Sequence, residues 1–206
     1  LSNKEKLTFN TIKGKDKQTI FSLAGENGHS FAKLDNVIIH PVNSLENDNA
    51  YKMMAVTDYK NKSVTEIGMY AFEKCLGITE LILPESLTFI DEYAFNECKQ
   101  LKSFVISDKV KNIAKYLFNF CEKLESVTIG DNVTFIDEYA FSACASLKDI
   151  TFGNSLERIG VYAFRNCASL TSIVIPDSVT SIADYAFIYC SSLTSVEIGD
   201  SVTTIG

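Results

Sequence analysis

A repeat of fixed length constrains this chain more than any other feature. Tyr-Ala-Phe-x-x-Cys recurs with its tyrosine at Tyr70, Tyr93, Tyr116, Tyr139, Tyr162 and Tyr185, a constant step of 23 residues. Only the third copy departs from the wording, reading Tyr116-Leu117-Phe118. The cysteines keep the same step, at Cys75, Cys98, Cys121, Cys144, Cys167 and Cys190. A period of this size marks a solenoid, in which each repeat buries its apolar face against its neighbours.

The repeats start at Ile67, Ile90, Ile113, Ile136, Ile159 and Ile182. Within the fifth, Leu170-x-x-Ile173-x-Ile175 alternates as a short strand with those three side chains inward. Pro176 then turns the chain, as do Pro84, Gly130, Gly153 and Gly199 at the equivalent position, and Val179 and Ile182 point back into the core. Tyr162-Ala163-Phe164 followed by Cys167 predicts a single helical or 3₁₀ turn on the opposite side. Burying about eight apolar side chains per repeat is worth ~12–24 kcal/mol. Ordering the backbone of one repeat costs ~23–46 kcal/mol, so no repeat folds by itself and the stack must form cooperatively.

Residues 1–50 lie outside the repeat. LTFNTI (7–12) and QTIFSL (18–23) alternate like short strands around the charged turn KGKDK, FAKLDNVIIHP (31–41) holds a β-branched run closed by Pro41, and NSLENDNA (43–50) reads as a polar loop. The expectation is a β-rich N-terminal cap over 1–50, shielding the first coil from water and from edge-to-edge pairing. The solenoid then spans 51–206, with a degenerate first coil at 51–66 and six repeats from 67. Tyr51-x-x-Met54-x-Val56-x-Asp58 matches Leu193-x-x-Val196-x-Ile198-x-Asp200, and Ser63 to Gly68 matches Ser201 to Gly206. Between the matched halves stand four extra residues, Tyr59 to Lys62, which are expected to bulge from the turn. The opening LSNKEK and the closing Ile205-Gly206, which begins another repeat, read as cut ends of a longer protein.

The consensus Leu-x-x-Ile-x-Ile-Pro-x-Ser-Val-x-x-Ile-x-x-Tyr-Ala-Phe-x-x-Cys-x-x-Leu resembles the BspA-like class of leucine-rich repeat, over residues 51–206. The resemblance implies an α/β solenoid: a right-handed superhelix with a parallel sheet on one face and short helical or 3₁₀ turns on the other. It also implies a surface or secreted protein, of the kind found in gut and oral anaerobic bacteria and some protozoan parasites, acting in adhesion to host proteins or other cells. Such proteins share a scaffold and no fixed binding site, so no functional residue transfers by motif.

The residues themselves argue against most chemistry. A net charge of −7 disfavours phosphate backbones and anionic membranes, and no apolar run is long enough to span a bilayer. The cysteines form a column rather than a compact ligand set, which points to buried free thiols rather than a metal site, with disulfides between adjacent coils the lesser alternative. The only histidines, His29 and His40, lie in the cap, away from every cysteine, so no nucleophile has a base and no enzyme is expected. The turn acids Glu85, Asp108, Asp131, Asp177 and Asp200, interrupted by Asn154, either bridge a calcium ion between coils or make local Asx turns, and the turns are the expectation. Six phase-locked tyrosines argue for packing rather than a ligand platform. The sequons Asn61-Lys62-Ser63 and Asn132-Val133-Thr134 matter only in a eukaryotic secretory pathway. No cofactor and no metal is expected.

Positions that vary between repeats carry the functional information, because fixed positions serve the scaffold. The outward strand row reads Ile82, Val105, Thr128, Thr151, Val174 and Glu197, a narrow, moderately apolar strip. Beside it run Glu80, Ser103, Ser126, Asp149, Ser172 and Ser195. β-propensity alone accounts for such a row as well as a protein-binding surface does. Phe89 and Phe135, two coils apart, are candidates for one aromatic patch. The reading favoured is a non-enzymatic surface protein that binds an extracellular-matrix, serum or cell-surface protein through the strand face. The alternatives are a structural spacer presenting another domain and, more distantly, a carbohydrate-binding module.

Overall fold

The structure, a computed structural model, describes residues 65–206 in full and, before them, the backbone of the strands Asn10–Lys13, Thr19–Gly25, Gly28–Lys33, Val37–Pro41 and Met54–Asp58. The expected turn KGKDK, the loop at 43–50, the insert Tyr59 to Lys62 and the sequon at Asn61 fall wholly or mostly outside the described residues. The first three strands form an antiparallel sheet. Val37–Pro41 pairs antiparallel with Met54–Asp58, which in turn pairs parallel with Leu81–Ile82. In that pairing Met54 lies opposite Leu81, an offset of one 23-residue repeat plus four residues. The strand Met54–Asp58 therefore joins the stack with a step of 27 residues in place of 23.

From Ile67 onward the chain is a parallel β-solenoid with a uniform offset of 23 residues, as in Asn112 opposite Phe135 and Phe135 opposite Arg158. Each coil contributes two short strands. One ladder contains Ser103–Val105, Ser126–Thr128 and Asp149–Thr151, and the strands at the same position of the next two repeats, Ser172–Ile175 and Ser195–Ile198, form a separate pair. The other runs without a break through Asn112–Ile113, Phe135–Ile136, Arg158–Ile159, Ser181–Ile182 and Thr204–Ile205. The inward residues are those the alternation picks out: Leu170, Ile173, Ile175, Val179 and Ile182 are all buried. Gly153 sits in the turn because of close approach, not backbone sign. A Cβ built there would lie 2.3 Å from the Gly130 carbonyl oxygen of the preceding coil.

The side opposite the strands differs from the expected helical turn. Among the described residues there is no helix. In the coil 137–144, the amides of Ala140, Ser142 and Cys144 donate to the carbonyls of Asp137, Tyr139 and Phe141, three residues back, at 3.3, 3.1 and 3.3 Å. The amides between them leave the coil: Tyr139, Phe141 and Ala143 donate to Val161, Ala163 and Arg165 of the next coil at 3.1, 2.8 and 2.7 Å. A helix would keep every interior amide for itself. Here alternate amides are exported, so the segment becomes a chain of β-turns stacked in register.

That arrangement forces two residues per coil into left-handed backbone, Tyr139 at φ 55° and Ala143 at φ 58° in this one. The conformation costs an L-residue ~1–2 kcal/mol. Aromatic stacking offsets it, at ~0.5–1.5 kcal/mol per pair beyond burial. Tyr116, Tyr139 and Tyr162 stack at centroid distances of 4.8 and 4.9 Å, and the core rings Phe118, Phe141 and Phe164 at 5.3 and 5.2 Å. Phe104 closes the column from the strand side, edge-on to Phe95 and Phe118 at 4.9 and 4.7 Å.

The cysteines are free thiols. Each of five donates its S–H to the carbonyl of the phenylalanine 26 residues earlier, as Cys121 does to Phe95 at 3.2 Å and Cys144 to Phe118 at 3.2 Å. Desolvation by burial pushes Cys98, Cys121 and Cys144 up in pKa and Cys75 up to about 12. Cys190, in the last coil, is the half-exposed end of the column.

Phe118→Ala is expected to destabilise the solenoid by ~3–5 kcal/mol, read by urea unfolding. Phe120→Ala, two residues on but 43% exposed, should change it by no more than ~0.5 kcal/mol. A thiol reagent at pH 8 should label Cys190 first and leave Cys98, Cys121, Cys144 and Cys167 silent until the fold is opened by denaturant. Because folding raises these thiols above the ordinary value of about 9, their contribution is fully present below that value. Stability should therefore decline as pH rises past it, and Cys121→Ser should reduce that decline.

Candidate functional site

The exposed outward row of the longer strands is where the scaffold leaves side chains free. Strand alternation sends Phe104, Val127 and Ile173 inward and their successors outward. Ile82, Val105 and Val174 are 53, 66 and 60% exposed, and Thr128, Thr151 and Glu197 are exposed as well. The register sets these residues side by side: Val105 opposite Thr128, Thr128 opposite Thr151, and Val174 opposite Glu197. Backbone amides of this ladder are consumed between coils, as in Ile106 donating to Thr128 and Ile129 to Thr151, each at 2.8 Å. The face therefore offers side chains, and at its middle no free backbone edge.

Phe135 belongs to the second ladder and Phe89 to the separate pair of Glu66–Ile67 with Phe89–Ile90, so neither lies in this row. Their outward row reads Glu66, Phe89, Asn112, Phe135, Arg158, Ser181 and Thr204, so Asn112 stands between the two rings in sequence of coils. Phe89 is exposed, while Phe135 is half-buried with the Arg158 guanidinium 4.8 Å from its centroid. A ring face covered by arginine is not open to a sugar ring on that side. The threonines beside this row turn inward on the backbone: Thr88 and Thr180 donate their hydroxyls to Thr65 and Glu157 carbonyls at 3.0 and 3.2 Å.

The turn acids have a structural task other than the expected local Asx turn. Instead of binding their own turn, Asp108, Asp131 and Asp177 accept the amide of the residue one coil on, Asp131, Asn154 and Asp200, at 2.9, 3.2 and 3.1 Å. Asn154 also donates its side-chain amide to Asp131 at 3.1 Å. Among the described residues no three histidine, cysteine or acidic side chains converge on a point that could hold a metal ion. No helix among them is long and apolar enough to cross a membrane.

Around the outside of the stack, charge alternates between coils. Lys99 pairs with Glu122 at 2.8 Å, Lys148 with Glu125 at 3.3 Å, Lys74 with Glu97 at 3.6 Å, and Lys115 with Glu138. Every pair is offset by one repeat, and such exposed pairs are worth ~0.2–1 kcal/mol each. The signal was present in the sequence as opposite charges 23 residues apart, and becomes visible once the repeats are aligned. The Tyr93 hydroxyl is raised above the usual phenol range, first by partial burial and then by its stacked neighbours Tyr116 and Tyr70. These columns hold the scaffold together and contain no nucleophile–base pair.

Comparison with known proteins agrees with this geometry. The chain is similar to a leucine-rich repeat protein of T. pallidum, at 27% identity and a TM-score of 0.67, covering 75% of this chain and 79% of that one. It is also similar to a leucine-rich repeat protein of Bacteroides ovatus, at 26% identity and a TM-score of 0.52, covering 84% of this chain and 54% of that one. No curated protein matches the chain. The sequence model described as BspA type leucine rich repeat region matches six copies, over residues 44–169 and 111–206. Matched over most of its length and folded as stacked in-register coils, the chain belongs to the BspA-type leucine-rich repeat family.

Proposed function

We propose that this protein is a non-enzymatic adhesion module that binds a protein partner through its strand face, at the cell surface or secreted. Leucine-rich repeat domains generally mediate protein–protein interaction, and this family is typically surface-associated. The observation that carries the reading is the exposed row itself. Ile82, Val105 and Val174 stand more than half exposed, while the inward strand residues Phe104, Val127, Ile173 and Ile175 are buried and only the last strand of this face, with Val196 and Ile198, is exposed on both sides. Shallow contacts made by successive coils of a pre-organised sheet lose little ordering entropy, so several weak contacts add to useful affinity. The phenylalanine row does not favour the sugar-binding alternative, since Arg158 already occupies one face of Phe135. The spacer reading invokes no feature of this face.

Replacing Val105, Thr128 and Val174 by lysine should leave the fold intact, each change altering stability by ~0.5 kcal/mol or less. Against arrayed purified extracellular-matrix and serum proteins, the wild type should retain a specific partner. The triple variant should bind that partner at least ~10-fold more weakly, which is ~1.4 kcal/mol. Undiminished capture by a folded variant would remove the strand face from the interaction, and silence of both proteins across the array would favour the spacer.

A further inference from the structure

Three residues after each member of the exposed row the chain turns, and the residue there is almost always acidic. Glu85 follows Ile82, Asp108 follows Val105, Asp131 follows Thr128, Asp177 follows Val174 and Asp200 follows Glu197, with Asn154 after Thr151 as the exception. All five acids are exposed. The inter-coil amides bonded to Asp108, Asp131 and Asp177 take Oδ1 and leave the charge in place. Parallel coils repeat at ~4.8 Å, so these turns form a rail of negative charge along one edge of the apolar row. Glu80, Asp149 and Glu197 add charge on the face itself. The opposite edge carries Lys102, Glu125 and Lys148, where Lys148 and Glu125 pair with each other. Lys109 and Lys111 lie beyond the rail in a single coil.

We infer that the partner docked on the strand face is cationic: an extended protein segment with apolar side chains for the row and lysine or arginine for the rail. The inference rests on the strand-face reading above and names the chemistry of its occupant. A second copy of this chain would bring an identical acidic rail and a net charge of −7, so like charges would face each other. Nucleic acids and anionic membranes are repelled for the same reason. A basic segment gains at both places, because its apolar side chains are desolvated on Ile82, Val105 and Val174 while its charges meet the rail.

The test uses three fluorescein-labelled peptides of about ten residues, alternating Val-Lys, Val-Gln or Ser-Lys, with binding to the whole chain read by anisotropy. One variant combines Asp108→Asn, Asp131→Asn and Asp177→Asn. Asparagine keeps an oxygen for the inter-coil amide, and Asn154 already occupies the position in one coil. A second combines Val105→Ser and Val174→Ser, and thermal unfolding checks that both remain folded. The wild type should bind Val-Lys ~10-fold or more tightly than Val-Gln, with affinity falling as salt rises. The asparagine variant should lose that preference, and the serine variant should weaken both valine peptides. Equal binding of Val-Lys and Val-Gln by the wild type, or no salt dependence, overturns the cationic partner. The strand-face reading survives that result if the serine variant still binds both more weakly. Ser-Lys binding as tightly as Val-Lys, with the serine variant unaffected, overturns both. Failure of the wild type to bind Val-Lys overturns the inference.

Discussion

Every other feature of this protein depends on alternate backbone amides leaving their own coil. On the strand side this is ordinary parallel pairing. On the turn side it replaces a helix: Tyr139, Phe141 and Ala143 give their amides to the next coil while Ala140, Ser142 and Cys144 close turns within their own. Both sides of each coil are therefore tied to both neighbours at one fixed offset. Like residues stack on like, and whatever occupies a position becomes a column running along the molecule.

Columns explain why some positions barely change. A phenylalanine at 118 must stack on rings above and below it, and the cysteine at 121 must fit beneath a carbonyl and donate to it. The tyrosine column has the further burden of left-handed backbone, which a bulky residue adopts only when its surroundings hold it there. Charged positions follow the opposite rule. Identical charges in a column would repel one coil apart, and the chain alternates lysine with glutamate instead. The outward strand row follows neither rule, and the acidic rail beside it keeps like charges one coil apart while its aspartates accept inter-coil amides.

Much of this was legible in the sequence, because the repeat samples each structural position six times. The period gave the stacking, the alternation of Leu170, Ile173 and Ile175 gave the inward face, and the consensus gave the family. The expected helical turn at Tyr162 to Cys167 is absent for a definite reason. Ala163, Phe164 and Cys167 have helical spacing, but the amides of Tyr162, Phe164 and Asn166 bond to the next coil at 3.4, 2.8 and 3.0 Å. Residue spacing reports which side chains are buried and carries no information on where the amides go. The same limit applied to Asp108 and Asp131, whose partners lie one coil away and not in their own turns. Arg158 stands 23 residues after Phe135, so the period makes the two neighbours, but spacing carries no information on whether the guanidinium lies over the ring face.

Hydrogen exchange of individual amides, followed by NMR, tests the central claim most directly. If the turn side is tied between coils, the amides of Tyr139, Phe141 and Ala143 exchange as slowly as those of strand residues such as Ile129, through one cooperative opening of the stack. Exchange of those three at the rate of exposed loops, while the strand amides stay protected, would mean that the turns are not bonded coil to coil. The rigid, in-register face on which the binding argument stands would then lose its support.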